Sequence, residues 1–170
     1  MGLDWRRGSS WPAALSLVVV IYRVTRPRVA VLGAEPGTPT LHDVERHPLA
    51  RTVPGVIIVR VDAPLFYANA DYVEERLQRI EEASGEAVTA VVLDASGIDD
   101  LDSTADHHLR TLVKTYHDRG VSFLMVSIKS EVRAVMDASV WPPWWGPRTS
   151  STPTSRCSGG WPGVRPAFPR

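Results

Sequence analysis

The sequence contains one cysteine and no excess of either charge. Cys157 is the only cysteine among 170 residues, so no disulfide can form within the chain. The 19 Lys and Arg residues balance the 19 Asp and Glu residues, which removes any overall attraction to nucleic acid or anionic lipid. These absences exclude a disulfide-stapled secreted scaffold and a nucleic-acid partner. The length suits one domain of ordinary size.

Patterns that support catalysis, phosphate binding or metal binding are missing as well. The glycine-containing segment 33–37 lacks the Lys-Ser/Thr ending of a phosphate-binding loop. Ser103 lacks the flanking glycines of a nucleophile elbow, and the acidic loop 96–102 lacks the spacing of an EF-hand. We therefore predict no enzyme activity, no catalytic residue and no cofactor. No metal site is predicted either, because no recognised zinc pattern is formed by His42, His47, His107, His108 and His117.

The longest apolar run, Trp11 to Tyr22, is about half of the ~20 residues that a spanning helix needs. Arg23, Arg26 and Arg28 follow it, like the basic cytoplasmic flank of a membrane segment. We interpret residues 1–24 as the remnant of a membrane helix or an N-terminal segment. A buried core strand and a signal sequence are the alternatives.

Residues 25–54 are rich in proline, which forbids a long helix, and they include one short strand candidate at residues 29–32. Strands and amphipathic helices then alternate over residues 55–140. This order predicts an α/β fold of layered type, with a central, mostly parallel β-sheet packed against the helices. Strands are expected at residues 56–61, 88–93 and 121–126, the first of them buried on both faces. The predicted core positions of the first two helices are Val73, Leu77, Ile80, Ala105, Leu109, Leu112 and Tyr116.

Residues 141–170 differ in kind from the rest. They hold seven of the 14 prolines and four of the six tryptophans, with four arginines and no acidic residue. No periodicity is visible, and we expect these tryptophans to lie outside the core. We interpret the segment as an irregular, disordered tail. A frameshift that replaced the natural C-terminus is one hypothesis for it, and a genuine disordered tail is the other.

The segment Asp102-Ser103-Thr104-Ala105-Asp106 opens a predicted helix. Ser103 followed by an acid three residues later fits a capping box, with Ser103 as the N-cap and Asp106 at N3. The residues expected to cap this helix start or to fix its conformation are Asp102, Ser103 and Asp106. The alternative is a phosphorylation site. Four acids surround this helix start, so an added phosphate would be repelled and would weaken local structure or a partner contact.

The strand that ends at Asp94, the acidic loop and the Asp102-Ser103-Thr104-Ala105 helix start together resemble the STAS domain. Residues 26–33, Pro36-Gly37-Thr38 and residues 54–70 resemble the branch found at the cytoplasmic ends of sulfate permease (SulP) anion transporters. Ala105 stands where freestanding anti-sigma-factor antagonists usually have glycine. The resemblance covers about residues 14–140, with the membrane domain missing.

The resemblance implies a truncated cytoplasmic STAS domain that regulates or assembles an anion permease and does not transport alone. Its partners would be the permease membrane domain or a second STAS domain in a homodimer. Its location would be the cytoplasmic face of the plasma membrane, with the fragment itself soluble or weakly membrane-associated. The alternative is a freestanding switch protein that binds a kinase or anti-sigma-like regulator and is phosphorylated at Ser103 or Thr104.

Overall fold

The computed structural model describes residues 10–36 and 40–145. Along these residues the chain forms four α-helices, five strands and a short 3₁₀ turn at Ala95–Gly97. In chain order the helices and strands are α1 (Ser10–Thr25), β1 (Val29–Ala34), β2 (Leu41–Asp43), β3 (Val56–Val61), α2 (Ala70–Ser84), β4 (Ala90–Asp94), α3 (Ser103–Asp118), β5 (Ser122–Val126) and α4 (Ser130–Ala138).

The strands form one sheet in the order β2-β1-β3-β4-β5. The three strands β3, β4 and β5 are parallel, with Ile57 opposite Val91 and Val91 opposite Phe123. Each parallel pair is joined by a helix, α2 or α3, as a parallel connection requires. β1 runs antiparallel to both β2 and β3. The predicted α/β class is therefore confirmed, and the sheet is mixed because the connector contributes two antiparallel strands.

The core lies where α2 and α3 pack on the sheet. Val73 and Leu77 of α2 are buried, and Ile80 packs at the margin of the core. In α3 the buried positions are Ala105, Leu109, Leu112, Val113 and Tyr116. The helical spacing therefore predicted the inward faces of both helices correctly. The Tyr116 hydroxyl donates a hydrogen bond of 3.2 Å to Glu81 at the end of α2, and burial raises the pKa of Tyr116 to about 12.

β3 is covered on one face more completely than on the other. Ile57, Val59 and Val61 are buried, while the residues that alternate with them are half-buried. One of these is Arg60, whose guanidinium lies 2.7 Å from the Asp62 carboxylate. The expectation of burial on both faces of this strand was wrong, because an apolar composition does not distinguish full from partial cover.

The apolar N-terminal run forms the helix α1, so the core-strand alternative was wrong. Its aliphatic side chains are exposed, with Leu15 at 66% and Val18 at 61%. Among the described residues, no helix combines the length and apolarity needed to cross a membrane. α1 has 16 residues, which corresponds to about 24 Å of helix against the roughly 30 Å of a bilayer core.

The first residues of the predicted tail belong to the folded domain. Trp145 is buried in the core at 8% exposure, and its ring stacks on that of Trp141 at 3.9 Å between centroids. The expectation that these tryptophans lie outside the core was therefore wrong for Trp141 and Trp145. Periodicity could not indicate their burial, because they lie in an irregular segment after α4. The frameshift and disorder hypotheses otherwise concern residues 146–170, outside the described part of the chain.

We expect Trp145→Ala to destabilise the domain by about 3 kcal/mol, because the substitution removes a large buried side chain and leaves a cavity. Trp144→Ala is the matched control. Trp144 is 46% exposed, and its one ring contact within the described part of the chain is with His117, so its loss costs less than about 1 kcal/mol. Urea unfolding of both variants measures their difference in stability. Equal midpoints would contradict the burial of Trp145 in the core.

Candidate functional site

The loop that follows β4 leads directly to the start of α3. β4 ends at Asp94, whose carboxylate accepts a hydrogen bond of 3.0 Å from the Ser96 backbone N–H. The turn then passes so close to β3 that a Cβ on Gly97 would lie 2.4 Å from the Val61 carbonyl oxygen. Only glycine permits this approach, so the loop is held against the end of the neighbouring strand.

A second loop, which follows β3, pairs with this one. The Leu65 N–H donates to the Asp100 carbonyl at 2.9 Å, and the Asp102 N–H donates to the Leu65 carbonyl at 3.1 Å. The side chains of Leu65, Ile98 and Leu101 are buried beneath the pair. The acidic loop is thus anchored by its apolar residues, and the carboxylates of Asp99 and Asp100 remain at the surface.

Asp102 joins the two loops to α3 through a single carboxylate. One oxygen, Oδ1, accepts the Ala105 N–H at 2.7 Å, and the other, Oδ2, accepts the Tyr67 N–H at 2.9 Å. Asp102 has extended backbone geometry and is the N-cap of the helix. The N-cap predicted at Ser103 was therefore wrong by one residue, since aspartate and serine can both cap a helix and the sequence offered them side by side.

Ser103 and Thr104 occupy the first two positions of α3, and both are exposed. Their hydroxyl groups are accessible from solvent at the end of a helix. Asp106 does not complete a capping box. With Asp102 as the N-cap, position N3 is Ala105, and the Asp106 side chain points into the protein, with the residue at 2% exposure.

Asp106 instead binds the segment that follows α4. Its carboxylate accepts a hydrogen bond of 3.1 Å from the Trp141 indole N–H and lies 3.0 Å from the Nε of Arg110. Arg110 also donates to the Val140 carbonyl at 3.3 Å. The sequence analysis missed this contact. The spacing of Asp106 from Leu109 and Val113, three and seven residues, places this acid on the apolar face of α3 and could have indicated that it is buried, although not which residue it binds.

The charges around the start of α3 are largely paired. Lys129 forms an ion pair with Asp99, and His108 lies 3.1 Å from the Asp71 carboxylate. At the end of β3, the hydrogen bond that Arg60 donates to the Asp62 carboxylate raises the pKa of the Arg60 guanidinium. Because Lys129 and Arg60 already have acidic partners, an added phosphate at the helix start meets mainly carboxylates.

Asp102→Ala is expected to destabilise the domain by about 2–3 kcal/mol, because two backbone N–H groups lose a charged acceptor. Asp102→Asn keeps one acceptor oxygen and should cost about half as much. Ser103→Ala is the neighbouring control and should change stability by less than about 0.5 kcal/mol. Chemical denaturation compares the stability of the three variants. A larger loss of stability for Ser103→Ala than for Asp102→Ala would identify Ser103 as the N-cap.

Comparison with known proteins places these features in a family. The model of the family described as "STAS domain" matches residues 47–140. The chain is 34% identical over 126 residues to a probable sulfate transporter of Arabidopsis thaliana, an alignment that covers 69% of this chain and 19% of the relative. It is 33% identical over 139 residues to a probable sulfate transporter of Mycobacterium tuberculosis, covering 82% of this chain and 25% of the relative.

A solved structure shares the fold of this chain. The murine anion transporter Slc26a9 in its inward-facing state superposes with a TM-score of 0.68 and 24% identity, over 81% of this chain and 22% of that one. The present chain spans between 18% and 25% of the length of curated relatives such as these sulfate transporters. Since the family model covers more than half of the chain, the protein belongs to the STAS domain family.

Proposed function

We propose that this chain is the cytoplasmic regulatory and assembly domain of a SulP-type anion transporter. The observation that carries the proposal is α1, an exposed apolar helix that ends at Thr25, four residues before the first strand of the domain. A helix that exposes apolar side chains all round is suited to a membrane or to other helices. The sulfate transporters noted above match this chain over only a fraction of their own length, as a single domain of a longer protein would.

The charges around α1 support a cytoplasmic position for the domain. Arg23, Arg26 and Arg28 follow the apolar run at the end that enters the domain. Cytoplasmic flanks of membrane segments are enriched in such residues. We therefore propose that residues 1–24 derive from the last membrane helix of the transporter, and that residues 25–54 connect it to the folded domain at 55–140.

The end of α1 is attached to the domain by polar contacts. Asn69, fully buried before α2, donates from its side-chain amide to the Val24 carbonyl at 3.3 Å and to the Pro64 carbonyl at 2.9 Å. The Arg26 guanidinium lies 5.1 Å and 5.8 Å from the centres of the Tyr22 and Tyr72 rings. A displacement of α1 would therefore act on the start of α2 through directional contacts.

The partners proposed on this basis are the membrane domain of the transporter and a second STAS domain in a homodimer. We propose no catalytic role, no cofactor and no nucleic-acid partner. Residues 1–140 carry 15 basic and 19 acidic side chains, an acidic balance that would repel phosphate backbones.

A freestanding switch protein is the second candidate. The observation in its favour is the exposure of Ser103 and Thr104 at the start of α3, where a kinase could reach their hydroxyls. A phosphate there would weaken the contact between α3 and a partner. The DNA flanking the reading frame separates the two candidates. An upstream sequence encoding a membrane domain supports the transporter, and a neighbouring kinase-like gene supports the switch.

We expect the full chain to associate with lipid vesicles through α1. Val19→Glu together with Ile21→Glu should reduce sedimentation with phosphatidylcholine–phosphatidylglycerol vesicles, because both side chains are exposed and a charge disfavours burial in lipid. Thr111→Glu with Thr115→Glu adds the same charge at exposed sites on α3 and should leave sedimentation unchanged. Equal losses in the two double variants would argue against a role for α1.

The chain alone should move no sulfate. We expect radiolabelled sulfate uptake into vesicles that contain the full chain to equal that of empty vesicles at every concentration, because the described residues hold no helix able to span the bilayer. Saturable uptake above this background would overturn the assignment of the chain as an accessory domain.

A further inference from the structure

A cluster of two histidines and a glutamate lies at the β2 edge of the sheet, away from the start of α3. Glu35 follows β1, His42 is in β2, and His47 is in the turn after β2. One ligand atom from each of the three side chains can be chosen so that all lie within 4.8 Å of one another. We propose that this cluster binds a divalent transition-metal ion, with Zn²⁺ as the ion that it suits best.

The backbone places two of the ligands by strand pairing. β1 and β2 are antiparallel, with Gly33 opposite His42 and Ala34 opposite Leu41. Glu35 extends β1 by one residue beyond this register, so its side chain reaches His42 across the strand pair. The Glu35 Oε2 atom lies 3.7 Å from the Nε2 of His42.

The third ligand is held by a turn that Asp43 organises. The His47 N–H donates to the Asp43 carbonyl at 2.9 Å, and the His47 carbonyl accepts the Ala50 N–H at 2.9 Å. The buried Asp43 side chain accepts the Glu45 N–H at 3.0 Å and forms an ion pair with the half-buried Arg28. The backbone of His47 is thereby fixed on both sides, and its ring lies 4.5 Å from that of His42 between centroids.

The donor set matches the chemistry of zinc. Two imidazole nitrogens and one carboxylate oxygen are ligands that Zn²⁺ takes with a fourth position left for water. Tetrahedral coordination would bring these atoms to about 3.4 Å from one another. The Glu35–His42 distance of 3.7 Å is already close to this value, and His47 is exposed, so rotation of the His47 imidazole can close the remaining difference. Mg²⁺ and Ca²⁺ prefer sites made of oxygen ligands.

Metal binding at this cluster would stabilise the edge strand β2. β2 has three residues and pairs only with β1 in the described sheet. An ion held by residues from β1, β2 and the following turn would cross-link this margin without touching the start of α3. A ligand that binds only the folded state raises its stability by mass action.

Titration of the full chain with Zn²⁺ in a calorimeter tests the proposal. We expect one bound ion per chain and a rise in the thermal unfolding midpoint. Loss of one ligand should weaken the apparent affinity about tenfold or more, and His42→Ala with His47→Ala should abolish binding at this site. Glu35→Gln should weaken binding and leave both imidazoles in place.

His107→Ala with His108→Ala is the matched control, because it removes two adjacent histidines of α3 and should leave the affinity unchanged. The metal-free unfolding midpoint of each variant shows whether the variant is folded. Cys157→Ser in every protein removes the thiol as a competing ligand. Zinc binding that survives His42→Ala with His47→Ala, or no binding of Zn²⁺ by the folded starting protein, would overturn the proposal.

Discussion

The arrangement of the loops around the start of α3 depends on the hydrogen bonds that the Asp102 carboxylate accepts. Its two oxygens bind backbone N–H groups from different parts of the chain, one in the first turn of α3 and one at Tyr67. The helix start and the loop after β3 are therefore fixed by the same group. The backbone pairing of Leu65 with the acidic loop extends this connection, and the side chains of Leu65 and Leu101 are buried beside it.

Helices α2 and α3 also hold the segments that enter and leave the domain. Asn69, at the start of α2, binds the last turn of α1. Asp106, in the first turns of α3, binds the indole of Trp141. Both contacts use a buried polar side chain. Removing its partner leaves that side chain without a hydrogen bond, which destabilises the folded state. The chain termini of the folded unit are thus joined to the helices by directional hydrogen bonds as well as by apolar packing.

The sequence predicted the parts of the fold that follow from periodicity. The helical spacing of Val73, Leu77 and Leu109 identified the buried faces, and the short apolar runs identified β3, β4 and β5. The failures have a common physical cause. Local sequence patterns do not encode contacts between distant segments. Three features depend on such contacts: the formation of β2, the partial cover of β3 and the packing of Trp145.

The motif at residues 102–105 predicted the start of α3 correctly and its N-cap wrongly. Aspartate and serine are both good N-caps, so the pair Asp102-Ser103 left the choice open until the backbone was known. The role of Asp106 could not be read from its spacing, because its partner, Trp141, lies 35 positions along the chain. Glu35, His42 and His47 became neighbours only through strand pairing.

The packing of Trp145 has a consequence for domain boundaries. The family pattern ends at residue 140, whereas the hydrophobic core continues through residue 145. A chimera that exchanges STAS domains at the family boundary would separate one aromatic side chain from the core that it completes, and Asp106 from its indole donor. In this chain the family match therefore ends five residues before the hydrophobic core does.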